Sequence, residues 1–195
     1  MDSRTQILEK VRKNKPTLES HIDIEQFEET IDEGLVEKYK LSLEANGGSC
    51  IDLSNSSELE NILTKEVEGQ SFVDLTNSLS EITGKDISSL EHPKELAEVK
   101  VLIAKGKVGV SENAAIWMDE EALSAVRVLP FIVERSIFII EKANLVATMH
   151  QAYQKIGALN TGFGSFIAGP SKTADIEQNL VIGAHGTKSH LVILV

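Results

Sequence analysis

The chain has 195 residues, 42 % of them apolar and 25 % charged, with a formal net charge of −11 and a single cysteine, Cys50. That composition is ordinary for one globular domain, and no apolar run approaches the roughly 20 residues of a membrane span. The negative charge disfavours nucleic acid and anionic lipid as partners, and one thiol can build neither an internal disulfide nor a four-thiolate iron–sulfur cluster.

The start, Met1 to Gln6, is polar and lacks an apolar stretch behind a basic end, so no secretory signal is expected and the chain reads as cytoplasmic. Ile7, Leu8 and Val11 recur at helical spacing, and Pro16 ends that first helix. A second helix is expected from Asp23, with Ile24, Phe27, Ile31, Leu35, Tyr39 and Leu43 on one face, stopped by Gly47 and Gly48. Its acids cluster near the start and its lysines near the end, which suits the helix dipole. Residues 1–47 therefore read as a helical arm or lid, and 48–195 as the main α/β domain, within one structural domain overall.

From Gly48 onward strands and helices alternate. Strands are expected at Ser49–Leu53, Ser71–Val73, Val99–Ala104, Val108–Val110, Ala114–Met118, Ser136–Ile140, Phe163–Ala168, Asn179–Ile182 and Leu191–Val195. Helices are expected at Ser57–Val67, capped by Ser56, at Glu120–Val126 and at Leu145–Ile156. Residues 77–98 are polar and carry no clear pattern. Alternation with near-continuous apolar strands implies a mostly parallel, doubly covered sheet, with an antiparallel edge where the last strands crowd together.

Three segments could carry chemistry. Ala168 to Glu177 reads as a strand, a Gly169-Pro170 turn and then a helix start, with Ser171 and Thr173 suited to capping. Such a junction aims free N–H groups at an anion, and Lys172 would add a positive donor. A capped turn with a solvated lysine fits the same residues, and Asp175 and Glu177 fit a helix's first turn. Gly183-Ala184-His185-Gly186 follows an apolar strand, so a ligand could approach the backbone and His185 could donate or act as acid or base. The plainer alternative is a hairpin turn to the last strand. Ser111-Glu112-Asn113-Ala114 offers Glu112 as nucleophile or base, or as a solvated turn residue. Trp117 and Met118 read as core or rim packing, His150 and Tyr153 match no metal motif, and Cys50 reads as a small buried apolar residue. No phosphate loop, dinucleotide fingerprint, zinc-protease motif or nucleophile elbow is present.

The run Gly169-Pro170-Ser171-Lys172-Thr173-Ala174-Asp175-Ile176-Glu177, then Leu180 to Gly186 and the closing Leu191 to Val195, resembles the signature of the LUD (lactate-utilisation) domain family. Val108 to Trp117 resembles that family's mid-chain strand pair more loosely. Thr187 stands where the family often has proline, so the turn there departs from the pattern. The resemblance implies a three-layer α/β/α domain similar to the NagB/RpiA/CoA-transferase-like fold. It implies an accessory subunit in oxidation of L-lactate to pyruvate beside iron–sulfur partner proteins, with no cofactor on this chain. Gly169, Ser171, Lys172, Thr173, Asp175, Gly183, His185 and Gly186 would then line a site for a small anionic ligand, and a homo-oligomer is left open. A rival follows from Ser111-Glu112-Asn113, which resembles the Ser-Glu-Asn-Gly turn of some CoA transferases, with Ala114 replacing glycine. It is a free-standing enzyme on a CoA-linked or phosphorylated small molecule, with Glu112 or His185 reactive. A binding module that uses the arm is the third reading.

Overall fold

The computed structural model describes residues 2–16, 33–157, 162–174 and 180–195. In chain order the helices are α1 (Ser3–Lys13), α2 (Leu35–Ala45), α3 (Leu59–Val67), α4 (Leu129–Ile132) and α5 (Met149–Ile156). The strands are β1 (Ser49–Asp52), β2 (Phe72–Asp74), β3 (Val101–Lys105), β4 (Val108–Val110), β5 (Ile116–Asp119), β6 (Arg135–Ile140), β7 (Leu145–Val146), β8 (Gly164–Ile167), β9 (Lys172–Ala174), β10 (Leu180–Ile182) and β11 (Ser189–Leu194).

The central sheet has the order β1-β11-β6-β3-β2, and every neighbouring pair is parallel. Its inner strands read as unbroken apolar runs because both faces are covered. Val101, Ile103, Ile137, Ile139, Leu191 and Ile193 face α3, whose Leu63 and Val67 are buried against them. Burying one such leucine contributes ~1.5–3 kcal/mol. The alternate residues, Leu102, Phe138, Ile140, Val192 and Leu194, meet Tyr39 and Leu43 of α2 and Ile116 and Met118 of β5.

A second, mixed sheet of order β7-β4-β5-β8 thus covers the other face together with α2. The α/β class with a mostly parallel central sheet is as expected, but this second covering is a sheet rather than helices alone. Space is tight at Gly109, where a Cβ would lie 2.7 Å from Leu145 Cδ2 of the neighbouring β7, 3.4 Å from Tyr39 Cε2 of α2 and 3.5 Å from Ile140 Cγ2 of the central sheet. On the outer face of the second sheet, Ala152 of α5 packs with Val108, Val110 and Trp117. Trp117 and Met118 are therefore core residues.

Several local expectations change. The second helix starts at Leu35, because Gly34 takes a left-handed φ of 71° that no continuing helix allows. The expected stretch from Asp23 to residue 32 lies outside the described residues. Within the expected arm, α2 is packed into the core. Asn55, not Ser56, caps the turn ahead of α3, its side chain accepting from Ser57 N–H at 3.0 Å. Residues 120–125 form turns rather than a helix, with Ser124 and Ala125 at positive φ. Leu145 and Val146 pair with Gly109 and Val110, so α5 begins only after Thr148, whose hydroxyl accepts from Gln151 N–H. Lys172–Ala174 is extended rather than the start of a helix, and pairs antiparallel with β10. β11 is no antiparallel partner of β10 but lies inside the parallel sheet. No helix among the described residues is long and apolar enough to cross a membrane.

Candidate functional site

Because the five central strands run parallel, their starts share one edge, and the loops before β1, β6 and β11 gather there. The turn at Asn46–Gly48 is the knot of this amino edge. Asn46 ends α2, and its Nδ2 donates to Asn113 O at 2.7 Å. A Cβ on Gly169 would lie 2.9 Å from Asn46 O, and φ at Gly169 is 79°, so glycine is required twice over there. Asn46 therefore braces both the 111–114 turn and the start of the signature segment. The sequence reading stops the helix at Gly47 and Gly48 and does not single out Asn46.

Beyond Pro170 the chain is stitched to the last loop. Ser171 N–H donates to Thr187 O, and Gly183 N–H donates to Ser171 O, each at 2.9 Å. A Cβ on Gly186 would lie 2.9 Å from Ser171 Cβ. From this root β9 and β10 run out as a two-stranded ribbon, with Lys172 opposite Ile182 and Thr173 opposite Val181. Successive strand residues face opposite sides, so Lys172 and Thr173 do not converge on one point. Lys172 and His185 are exposed and make no hydrogen bond or ion pair among the described residues. Asp175 and Glu177 lie outside the described residues. Residues 172–174 thus form one strand of a ribbon where a helix start was expected, and Gly169, Ser171, Gly183 and Gly186 are brought together at one edge of the sheet.

Glu112 is engaged elsewhere. Its carboxylate accepts from Met149 N–H at 2.8 Å, at the first residue of α5, where the helix dipole favours an anion. Its own N–H donates to Ala147 O at 3.1 Å. Ser42 Oγ donates to Ser111 O at 2.7 Å, Ser111 Oγ donates to Leu35 O at 2.9 Å, and Tyr39 OH donates to Ala114 O at 3.3 Å. Ala114 is buried with φ at 55°, a left-handed conformation that this network holds in place.

A buried pair escaped the sequence reading. His190 Nδ1 lies 2.7 Å from Ser136 Oγ, and its ring stands edge-on to Phe138 with centroids 5.1 Å apart. Its Nε2 has no partner among the described residues. Burial pushes the imidazole down from its ordinary 6.5 to about 4, so it is neutral at neutral pH. The pair arises from the register of β11 on β6, which no local pattern reveals. Cys50 is half-buried, and burial raises its thiol to about 11, in keeping with a structural role.

The opposite, carboxyl edge holds open space. A cleft of about 650 Å³ is lined by Leu59, Leu75, Lys105, Lys107 and Glu141 among others. Lys105 pairs with Glu141 at 2.6 Å, and Lys107 pairs with Asp119 at 2.7 Å and with Glu121. A second cleft of about 770 Å³ opens at Asp74 and Asp86, and a third of about 350 Å³ at Pro93 and Val128. None of these three walls includes a residue from 169–186. Among the described residues no group of three or more His, Cys, Asp or Glu is placed to hold a metal ion.

Comparison with known proteins bears on the same region. The sequence profile of the LUD domain matches residues 80–195. The chain is 36 % identical over 107 residues to lactate utilization protein C of Shouchella clausii, covering 52 % of this chain and 45 % of that protein. It is 39 % identical over 104 residues to the protein of the same name from Geobacillus thermodenitrificans, covering 50 % and 43 %. The chain therefore spans about half the length of these relatives. A crystal structure of a DUF162 family protein from Deinococcus radiodurans superposes with a TM-score of 0.66 at 16 % identity, covering 83 % of this chain and 96 % of that one. That likeness is one of fold.

Proposed function

The chain belongs to the LUD domain family, and on that premise we propose that it serves in lactate utilisation as a cluster-free subunit, beside iron–sulfur proteins that take up the electrons of L-lactate. Oxidation of lactate to pyruvate releases two electrons and two protons. The one cysteine in these 195 residues cannot hold a four-thiolate cluster, so on this reading the electrons pass to an acceptor outside them. Relatives that share the matched region carry lactate utilisation in their names.

The observation that carries this reading is the ribbon. The signature segment stands at the amino edge, lines none of the three clefts, and leaves Lys172 and His185 exposed. Such a surface suits contact with another body, with Lys172 and His185 meeting an anionic group, whether a carboxylate of a bound ligand or one on the partner. Ser171 and Thr173 would add hydroxyls from the other side of β9. The transferase reading draws no comparable support, since the Glu112 carboxylate already accepts the first N–H of α5.

The test is an anaerobic pull-down of the tagged chain from its own cells, assayed for lactate-dependent dye reduction. Iron–sulfur proteins should be retained together with activity, and the isolated chain should not oxidise lactate. Recovery of the chain alone from active cells, or lactate turnover by the purified chain, would overturn the assignment.

A further inference from the structure

Four neighbouring parallel strands point into the cleft at Lys105. Leu75 follows β2, Lys105 ends β3, Ile139 lies next to the end of β6 and Val195 follows β11, and all four residues are in its wall. Leu59, the first residue of α3, and Lys107, on the way to β4, complete the frame. α3 covers one face of the central sheet, whereas β4 belongs to the layer on the other. A crevice outside the carboxyl ends of the strands, where connections leave to opposite faces, is where open parallel sheets bind ligands. Its volume of about 650 Å³ suits a small molecule.

The ionic groups of this cleft are matched among themselves. Lys105 Nζ meets Glu141 at 2.6 Å, and Lys107 Nζ meets Asp119 at 2.7 Å and also Glu121. An anion entering here faces two carboxylates and finds both ammonium groups paired. Drawing Lys107 away would also strand Asp119, whose side chain is 10 % exposed. A cation faces the two lysines in the same way. An uncharged molecule disturbs neither set of pairs, and Leu59, Leu75, Ile139 and Val195 offer it apolar contact.

A pair of hydroxyls adds a direction. Thr76 and Ser78 line the same cleft. Thr76 Oγ1 lies 2.6 Å from Asp74 Oδ1 and 2.7 Å from Ser78 Oγ. A hydroxyl has one proton and a carboxylate only accepts, so the Thr76 proton goes to Asp74. Ser78 must then give its own proton to Thr76. What Ser78 Oγ has left is a lone pair, and no other hydrogen bond to it is found among the described residues. It is an acceptor that suits an incoming donor.

We propose that this cleft binds an uncharged small molecule with an apolar body and a hydroxyl or N–H donor. The body lies against Leu59, Leu75, Ile139 and Val195, and the donor meets Ser78 Oγ. The site is separate from the ribbon and does not depend on what the ribbon contacts.

Methyl-labelled full chain, titrated with three probes and followed by nuclear magnetic resonance, reads the outcome. Naphthol is uncharged and has a donor, so it should shift the methyls of Leu59, Leu75, Ile139 and Val195 saturably. Methoxynaphthalene keeps the body without the donor and should bind about threefold to tenfold more weakly, the worth of one hydrogen bond. Naphthoate, an anion, should bind more weakly than either. Ser78→Ala should erase the difference between naphthol and methoxynaphthalene, and Ser78→Thr should keep it. Glu121→Gln alters a side chain that is 81 % exposed and unmatches one side of Lys107, so naphthoate should gain affinity while naphthol does not. The order of the three probes on the parent chain needs no variant to fold. Absence of saturable shifts at the four residues, naphthoate binding as tightly as naphthol, or methoxynaphthalene binding as tightly as naphthol would overturn the proposal. So would a naphthol preference that survives in Ser78→Ala.

Discussion

At the amino edge of the central sheet Lys172 and His185 stand exposed on a backbone fixed by Asn46, Ser171 and Thr187, while at the carboxyl edge Lys105 and Lys107 line a cleft with their charges already matched by Glu141, Asp119 and Glu121. Ligands of parallel α/β sheets commonly bind outside the carboxyl ends of the strands. Here that edge has the space, but its lysines are committed to carboxylates. At the amino edge Lys172 and His185 have no hydrogen-bond or ion-pair partner among the described residues, and they line none of the three clefts described above. The contrast separates two uses of a signature. Gly169 and Gly186 serve close packing of the loops, whereas the groups left over for function are the few side chains the packing does not consume.

The largest test of that division is Gly169→Ala. A left-handed alanine costs about 1–2 kcal/mol, and forcing its Cβ against the Asn46 carbonyl adds a similar or larger amount, so a loss of roughly 3–4 kcal/mol is expected in urea unfolding. Unchanged stability with lost partner binding would instead assign the glycine to ligand approach. Close behind comes His190. Its folded pKa of about 4 lies below the ordinary 6.5, so the unfolded chain takes up the proton first. The stability from the neutral ring is complete above pH 6.5 and is lost as pH falls toward 4, by up to about 3 kcal/mol. His190→Gln should remove that slope from the pH dependence of unfolding, and a slope that persists would place its origin elsewhere.

At the carboxyl edge the expected effect is smaller. The Asp119 side chain is 10 % exposed. Burial works to raise its pKa, but the Lys107 ammonium and the Ala122 N–H outweigh that and hold it below the usual carboxylate value. Lys107→Met strands the carboxylate and should cost about 2 kcal/mol at neutral pH. Because the folded pKa is depressed, this contribution is present above the ordinary carboxylate range and lost on acidification through it, so the variant and parent should converge at low pH. A variant as stable as the parent at pH 7 would mean that the backbone N–H groups of Glu121 and Ala122 suffice for Asp119, and that the lysine is available to a ligand after all.

How legible each edge was in the sequence follows from how local its determinants are. The apolar runs of β3, β6 and β11 announced a buried parallel sheet because each strand carries its own signal. Leu145 and Val146 looked helical until their pairing with Gly109 and Val110 is known, and Lys172–Ala174 looked like a capped helix start until their pairing with Leu180–Ile182 is known. Both errors set local capping chemistry against a strand partner that sequence spacing does not display. Asn46 and His190 were missed for the same reason: one looks like a helix stop and the other like a polar strand entry, and their roles exist only once Asn113, Gly169 and Ser136 arrive. Lys172 and His185 stand out from local sequence alone, and both are exposed at the amino edge.

The smallest stability effect carries the most about function. Lys172→Glu and His185→Ala alter exposed side chains with no partner among the described residues, so each should change the unfolding free energy by about 0.5 kcal/mol or less. If these groups meet an anion on a ligand or partner, the charge reversal at Lys172 should nonetheless abolish retention of the iron–sulfur proteins in the pull-down, and His185→Ala should weaken it. Their insensitivity in stability is what makes the binding result interpretable, because loss of retention could not then be blamed on a damaged fold. Retention by both variants would leave the ribbon's apolar side chains, rather than its charges, as the contact. A large loss of stability would move Lys172 and His185 into the same structural class as Gly169, leaving the amino edge with no more free chemistry than the carboxyl edge has.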